Sequence, residues 1–218
     1  MLPLLVFDLD GTLIDSRRDI TDAANALLVE CGGAPLSELR IGRMVGEGAA
    51  VLLTRAFDAA GVDRPADALE RYLALYDRRL LVHTRPYPGI VAALEALAGR
   101  ASLAVLTNKP LGPTRRILDG LDLARFFPRE AVLGGDGPWP RKPDPAGLRH
   151  LTGRVGVAPA DSVLVGDSLT DWSTARAAGA QVCMARYGFG YETFPAGTLQ
   201  PGDLGADTPA DLSRVLKA

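Results

Sequence analysis

Two short acidic stretches hold the residues best suited to do chemistry. "LLVFDLDGTLIDS", Leu4–Ser16, sets Asp8 and Asp10 one residue apart behind an apolar run, and "VLVGDSLTD", Val163–Asp171, sets Asp167 and Asp171 behind another. A spacing of two places Asp8 and Asp10 on the same side of an extended segment. Four carboxylates gathered at one edge repel each other, so a divalent cation is the economical counter-charge, and all-oxygen ligation selects magnesium over zinc. Magnesium keeps several waters, takes one or two carboxylates and shares a substrate's phosphate oxygens, which points to phosphoryl chemistry. Lys142 in "RKPDP" supplies a compact ammonium in a chain that otherwise relies on arginine, its lysines being only Lys109, Lys142 and Lys217. Such a charge would neutralise a phosphate and a carboxylate nucleophile together. "DLDGT" alone also reads as a turn-forming acidic loop; a second acidic loop at a neighbouring strand end tips the balance toward a cation site.

Other chemistries lack their residues. His83 and His150 are the only histidines, too few for a phosphohistidine enzyme, a Ser-His-Asp hydrolase or a His-rich zinc site. Six positions after Cys31 and Cys183 stand Ser37 and Phe189, not the arginine of a thiolate phosphatase loop. The two cysteines have no metal-type spacing and read as reduced thiols. No lysine follows glycine in the P-loop pattern. A formal net charge of −2 over 218 residues fits a globular chain without the basic stripe of a nucleic-acid binder. The run Leu2–Phe7 is too short to span a bilayer and ends in Asp8, so neither signal peptide nor membrane anchor is expected. The expectation is a cytoplasmic protein, monomer or homodimer, whose partner is a small phosphorylated metabolite rather than nucleic acid or membrane.

The elements that must position these residues follow from periodicity. After the first apolar strand, Ile20, Ala23, Ala24, Leu27 and Leu28 share one helical face. Further helices are predicted from about Ala49 to Ala60 and from about Pro65 to Leu81, with no strand between. "TRPYPG", Thr84–Gly89, breaks the pattern as a hinge would. Beyond it helices and strands alternate: a helix Ile90–Leu97, a strand "SLAVLTN", a helix near Pro113–Leu121, a short strand "AVLGG", and a helix from about Pro145 to Val155. A strand Ser162–Gly166, a helix capped near Ser168 and a last strand "QVCMARYG" complete the core. Strands without polar alternation, separated by helices, define a doubly wound parallel-sheet (Rossmann-like) α/β core. The helical stretch becomes an inserted all-helical cap domain, residues 15–86, on a core of residues 1–14 and 87–218. Ligands of open α/β sheets collect outside the carboxyl ends of the strands, where Asp8, Asp10, Thr107, Asn108, Lys142, Asp167 and Asp171 all fall.

"DLDGTL", "LTN", the lysine of "KPDP" and "GDSLTD", in this order, resemble the four motifs of the haloacid dehalogenase-like phosphatase superfamily, over essentially the whole chain. The cap's position is similar to that of the subgroup with a helical insert after the first motif, and "TRPYPG", "LTNKP" and "KPDP" look most like its bacterial phosphoglycolate phosphatases. The resemblance implies that Asp8 attacks phosphorus to form an aspartyl phosphate while Asp10 protonates the leaving oxygen and then activates water. It implies a magnesium ion on the Asp8 and Asp167 carboxylates and the Asp10 backbone carbonyl, with Asp171 positioning bound water or Lys142. Thr107 and the adjacent amide of Asn108 would bind phosphate oxygens; Gly11 would permit the tight turn and Thr12 would hold the loop by hydrogen bonds.

Specificity in such enzymes belongs to the cap. "RMVGEGA", Arg43–Ala49, is the stretch expected to reach the site, with Arg43 meeting a substrate carboxylate or simply standing exposed. Arg17 and Arg18 steer anions or are ordinary surface charges, and Trp139 lines the pocket or covers the core. The function expected is magnesium-dependent phosphomonoester hydrolysis, on 2-phosphoglycolate, with a sugar-phosphate phosphatase, a pyrophosphatase or a sugar phosphomutase as alternatives. A phospho-accepting receiver domain shares the residue types but is phosphorylated after a later strand and has no room for the insert. A catalytically silent interaction protein is disfavoured by the retained Asp8, Asp10, Lys142 and Asp167.

Overall fold

The computed structural model describes residues 4–216, so Leu2, Pro3 and Lys217 lie outside the described residues. The chain opens with β1 (Leu4–Phe7) and β2 (Ile14–Asp15), then α1 (Arg17–Glu30), α2 (Glu38–Gly42), α3 (Ala49–Ala60) and α4 (Ala68–Asp77). There follow β3 (Arg85–Pro86), α5 (Ile90–Ala98), β4 (Ser102–Leu106), α6 (Leu111–Gly120), β5 (Val132–Leu133) and α7 (Ala146–Val155). Last come β6 (Ser162–Gly166), α8 (Leu169–Ala178), β7 (Gln181–Ala185), β8 (Leu204–Ala206) and α9 (Leu212–Val215).

Six strands form one parallel sheet in the order β5-β4-β1-β6-β7-β8. Its strands read as unbroken apolar runs because both faces are covered. Leu5 and Phe7 enter one hydrophobic cluster and Leu4 and Val6 the other, the period-two split of a strand buried on both sides. Leu148 and Leu151 of α7 and Ala175 and Ala178 of α8 pack on the second face. Leu94 of α5, Ile117 of α6 and Leu212 of α9 pack on the first, in a cluster that continues through Leu27, Leu53, Phe57, Tyr72 and Tyr76. Cap and core thus share one apolar interior.

Register levels the functional ends of the strands. Phe7 pairs with both Val105 and Val165, so Asp8, Thr107 and Asp167 leave the sheet within one residue of the same level. The fold is the doubly wound α/β core with a helical cap inserted behind its first strand. The chain's two crossings into and out of the cap run side by side as an antiparallel pair, Ile14 against Pro86 and Asp15 against Arg85. Buried Asp19 of α1 accepts from His83 N at 2.8 Å, Thr84 N at 2.7 Å and Thr84 Oγ1 at 2.8 Å, tying the return crossing to the first cap helix.

The structure differs from the periodicity in places. The helix expected from Pro65 to Leu81 is shorter, because i→i+3 turns, Ala68 N to Pro65 O and Arg79 N to Tyr76 O, bracket α4. α6 begins at Leu111, before Pro113, which sits in the first turn where a missing N–H breaks no hydrogen bond. Gln181–Ala185 is not the last strand: the three-residue β8 adds to it, pairing Cys183 with Leu204.

Candidate active site

Lys142 bridges the two acidic loops that follow β1 and β6. Its ammonium lies 2.8 Å from Asp8 Oδ1 and 2.6 Å from Asp171 Oδ1, with all three side chains buried. Burial works against the lysine's charge, but Asp171 and Asp8 outweigh it and hold its pKa above the ordinary value. Asp171 is engaged at its other oxygen as well: Oδ2 accepts from Ser168 N at 3.1 Å and Ser168 Oγ at 2.6 Å, closing the capping box that starts α8. Asp167 Oδ2 accepts from Gly190 N at 2.7 Å.

Carboxylate oxygens of Asp8, Asp167 and Asp171 lie within 4.8 Å of one another, all buried. Burial, opposed by Lys142 and assisted by Asp171 and Asp10, pushes the Asp8 carboxyl up to about 6. Burial and the charges of Asp171 and Asp8 push Asp167 well above its ordinary value, against the Gly190 N–H and Lys142. One ammonium thus faces three carboxylates, and the surplus negative charge on hard oxygen donors fits a divalent cation of the magnesium type. With both Asp171 oxygens engaged, Asp8 Oδ1 on Lys142 and Asp167 Oδ2 on Gly190 N, the oxygens left for such an ion are Asp8 Oδ2 and Asp167 Oδ1.

Glycines allow this crowding. Gly11 holds φ +86, and a Cβ there would stand 1.8 Å from Asp167 Oδ2. A Cβ on Gly188 would meet Gly11 O at 2.1 Å. The "YGFGY" stretch that supplies Gly188 and Gly190 escaped the sequence reading, because a Gly-x-Gly after a strand has no single meaning.

Asp10 is held from two sides. Ser16 Oγ donates to Asp10 Oδ1 at 2.5 Å, although Ser16 stands at the N-cap of α1, where its hydroxyl would otherwise serve the helix. Lys109 Nζ lies 3.0 Å from Asp10 Oδ1 and 2.9 Å from Oδ2, and donates to the Tyr76 hydroxyl at 2.9 Å. Neither Ser16 nor Lys109 was assigned a part from sequence. The available cue for Lys109 was its type: two of the three lysines follow core strands in a chain of arginines.

The other expected residues fall as follows. Thr107 is buried, and its Oγ1 accepts from Lys109 N at 3.2 Å. Asn108 Nδ2 donates to Lys142 O and to Gly46 O, both at 2.9 Å, so this side chain ties two core loops to the cap loop. Thr12 braces its loop through the backbone, its O accepting from Tyr187 Oη at 2.9 Å, whereas its buried hydroxyl has no partner among the described residues. Arg43 is not brought to the crevice: it is half-exposed with Nε 3.7 Å from Glu192, and its neighbours Val45 and Gly46 line the cavity instead. Arg17 pairs with Asp15 at 3.0 Å and Glu192 at 3.5 Å. Trp139 stacks on His150, centroids 4.5 Å apart, and does not line the cavity between cap and core. Cys31 and Cys183 are unpaired. No helix among the described residues is long and apolar enough to cross a membrane.

A parallel α/β core, a helical cap after the first strand and an acidic cluster around a buried lysine define a class. The family model for haloacid dehalogenase-like hydrolases matches residues 2–179, and the chain belongs to that family. Within it the chain is similar to phosphoglycolate phosphatases: 48% identical over 197 residues to that of Rhodospirillum rubrum, covering 86% of this chain and 81% of the relative. It is 40% identical over 191 residues to that of Nitrosospira multiformis, covering 85% and 83%. A crystal structure of a predicted phosphoglycolate phosphatase from Haemophilus somnus superposes with a TM-score of 0.88 at 32% identity, covering 98% of this chain and 97% of that one. These similarities mark the chain as a phosphoric monoester hydrolase.

Proposed function

We propose that the protein is a cytoplasmic, magnesium-dependent phosphatase acting through an aspartyl phosphate on a small phosphorylated metabolite, 2-phosphoglycolate. The observation that carries the mechanism is Lys142 bridging Asp8 and Asp171, which engages one carboxylate oxygen of Asp8, a residue that lines the cavity between cap and core. The names of the relatives carry the substrate.

In the first step an Asp8 oxygen attacks phosphorus, the bond from phosphorus to the ester oxygen breaks, and Asp10 gives that oxygen a proton. In the second, Asp10 takes a proton from water as the water oxygen attacks phosphorus, and the bond from phosphorus to Asp8 breaks. Lys142 offsets charge on Asp8 and the phosphoryl group throughout, while Thr107 and the Asn108 amide hold phosphoryl oxygens. Magnesium, held by Asp8, Asp167 and the Asp10 backbone carbonyl, would supply positive charge to the transferring group. Asp171 holds Lys142 in place. The cap, residues 15–86, closes over residues 1–14 and 87–218 and excludes bulk water.

Phosphate release from 2-phosphoglycolate, sugar phosphates and pyrophosphate, with magnesium and with chelator, tests this. The expected result is magnesium-dependent release with 2-phosphoglycolate strongly preferred. Preference for a sugar phosphate would replace the substrate and keep the mechanism, whereas release unaffected by chelator would overturn the metal's part.

A further inference from the structure

The cavity between cap and core runs from Asp8 and Asp10 at its floor to a roof that includes Val45, Leu52, Tyr72 and Leu73. Among the described residues lining it, Lys109 is the sole lysine or arginine. Its side chain is 7% exposed, and a buried ammonium is costly unless a partner uses it. Asp10 already has the Ser16 hydroxyl at 2.5 Å, so the lysine is not needed merely to orient that carboxylate. The ammonium lies 4.6 Å from the Tyr76 ring centroid, and Tyr76 stacks on Tyr72, centroids 5.8 Å apart. Burial first, then neighbouring charge, raises both phenol pKa values, so the two rings stay neutral. An occupant beyond the phosphoryl group therefore meets apolar walls, neutral phenols and one cation, a poor match for a polyol and a good one for a single anionic group.

We propose that Lys109 is a substrate-binding residue that receives a carboxylate on the leaving group, making this cavity selective for short phosphoesters of hydroxy acids. The proposal rests on the phosphatase reading and assigns to the core loop after β4 the part that the sequence suggested for Arg43. Asp10 protonates the ester oxygen, and in an O–CH2–COO− leaving group the carboxylate is the next carbon along. A cation already touching Asp10 is at the reach such a group requires.

The test compares 2-phosphoglycolate with ethyl phosphate, which has the same two-carbon skeleton without the carboxylate, in wild type, Lys109→Met and Lys109→Arg. Loss of one charge-assisted hydrogen bond predicts that Lys109→Met lowers kcat/KM for 2-phosphoglycolate about 10- to 100-fold more than for ethyl phosphate, chiefly through KM. Lys109→Arg should recover part of that ratio. Equal losses on the two esters would overturn the proposal, since they would show Lys109 acting only through Asp10. Calorimetric binding of the same two esters in the Asp8→Asn background, with and without Lys109→Met, reads the assignment without turnover. Weaker binding confined to the carboxylate ester supports it, and unchanged binding overturns it. The 2-phosphoglycolate reading fails separately, if the wild type hydrolyses a sugar phosphate faster.

Discussion

Asp8 is caught between burial, which opposes its charge, and Lys142, which favours it. Burial raises its carboxyl from 3.8 to about 6, even with Lys142 against it. A carboxyl whose pKa is raised on folding binds more protons in the native than in the unfolded state between those values. Its contribution to stability is full below about pH 4 and is lost as pH rises through about 6. Asp167, raised for the same first reason, acts with the same sign. In chelator, the unfolding temperature should therefore fall between pH 5 and pH 7 by these groups' share, and magnesium should restore it at pH 7. Asp8→Asn should abolish turnover, flatten that slope and stabilise the chelated protein by on the order of 2 kcal/mol at pH 7, read by thermal denaturation. A chelated Asp8→Asn protein no more stable than wild type would contradict this account of the site. The carboxylates and Lys142 were legible as a group because each follows an apolar strand or precedes a helix at one sheet edge. Ser16 and Lys109 were not, because what assigns them is contact with Asp10 across six and ninety-nine residues of chain.

Among the elements, the loops after β1 and β6 matter more than the strands they leave. The first turns at Gly11, with φ +86, and passes against Asp167 on the second. Gly11→Ala meets a double obstacle, a left-handed backbone and a Cβ 1.8 Å from a carboxylate oxygen. The expected outcome is a loss of at least about 2 kcal/mol in stability together with a fall in kcat of about 100-fold or more, measured by denaturant unfolding and phosphate release. A folded Gly11→Ala enzyme with near-normal kcat would show that the loops tolerate separation. The start of α8 was readable from Ser168, whose capping box with Asp171 is a local pattern. β8 was not readable: "LGA" has no periodicity, and it becomes a strand only by adding to the edge of β7.

At the scale of the molecule, the question is how the cap sits on the core. The continuous apolar cluster and the paired crossings β2 and β3 hold the two together. A polar link joins them at the rim, where Glu192 of the core lies 3.5 Å from Arg17 and 3.7 Å from Arg43 of the cap. Exposed pairs of this kind contribute about 0–1 kcal/mol and are screened by salt. Glu192→Gln should raise KM about two- to fivefold at low ionic strength, with the difference vanishing at about 0.5 M salt, as measured by kcat/KM against ionic strength. An effect that persists at high salt would mean that Glu192 does more than hold the rim.

By itself the sequence determined the layered architecture, the place of the helical insert and the edge at which the acidic groups meet, because strand and helix periods and loop residues are local properties. Tertiary structure decided which charges face which. Only packing could turn Arg43 toward Glu192, fold Lys109 under Tyr76 against Asp10, and give Asn108 the work of joining three loops. A side chain's partner is set by distance in space, and register, crossovers and the closing of the cap bring together residues that the chain keeps far apart.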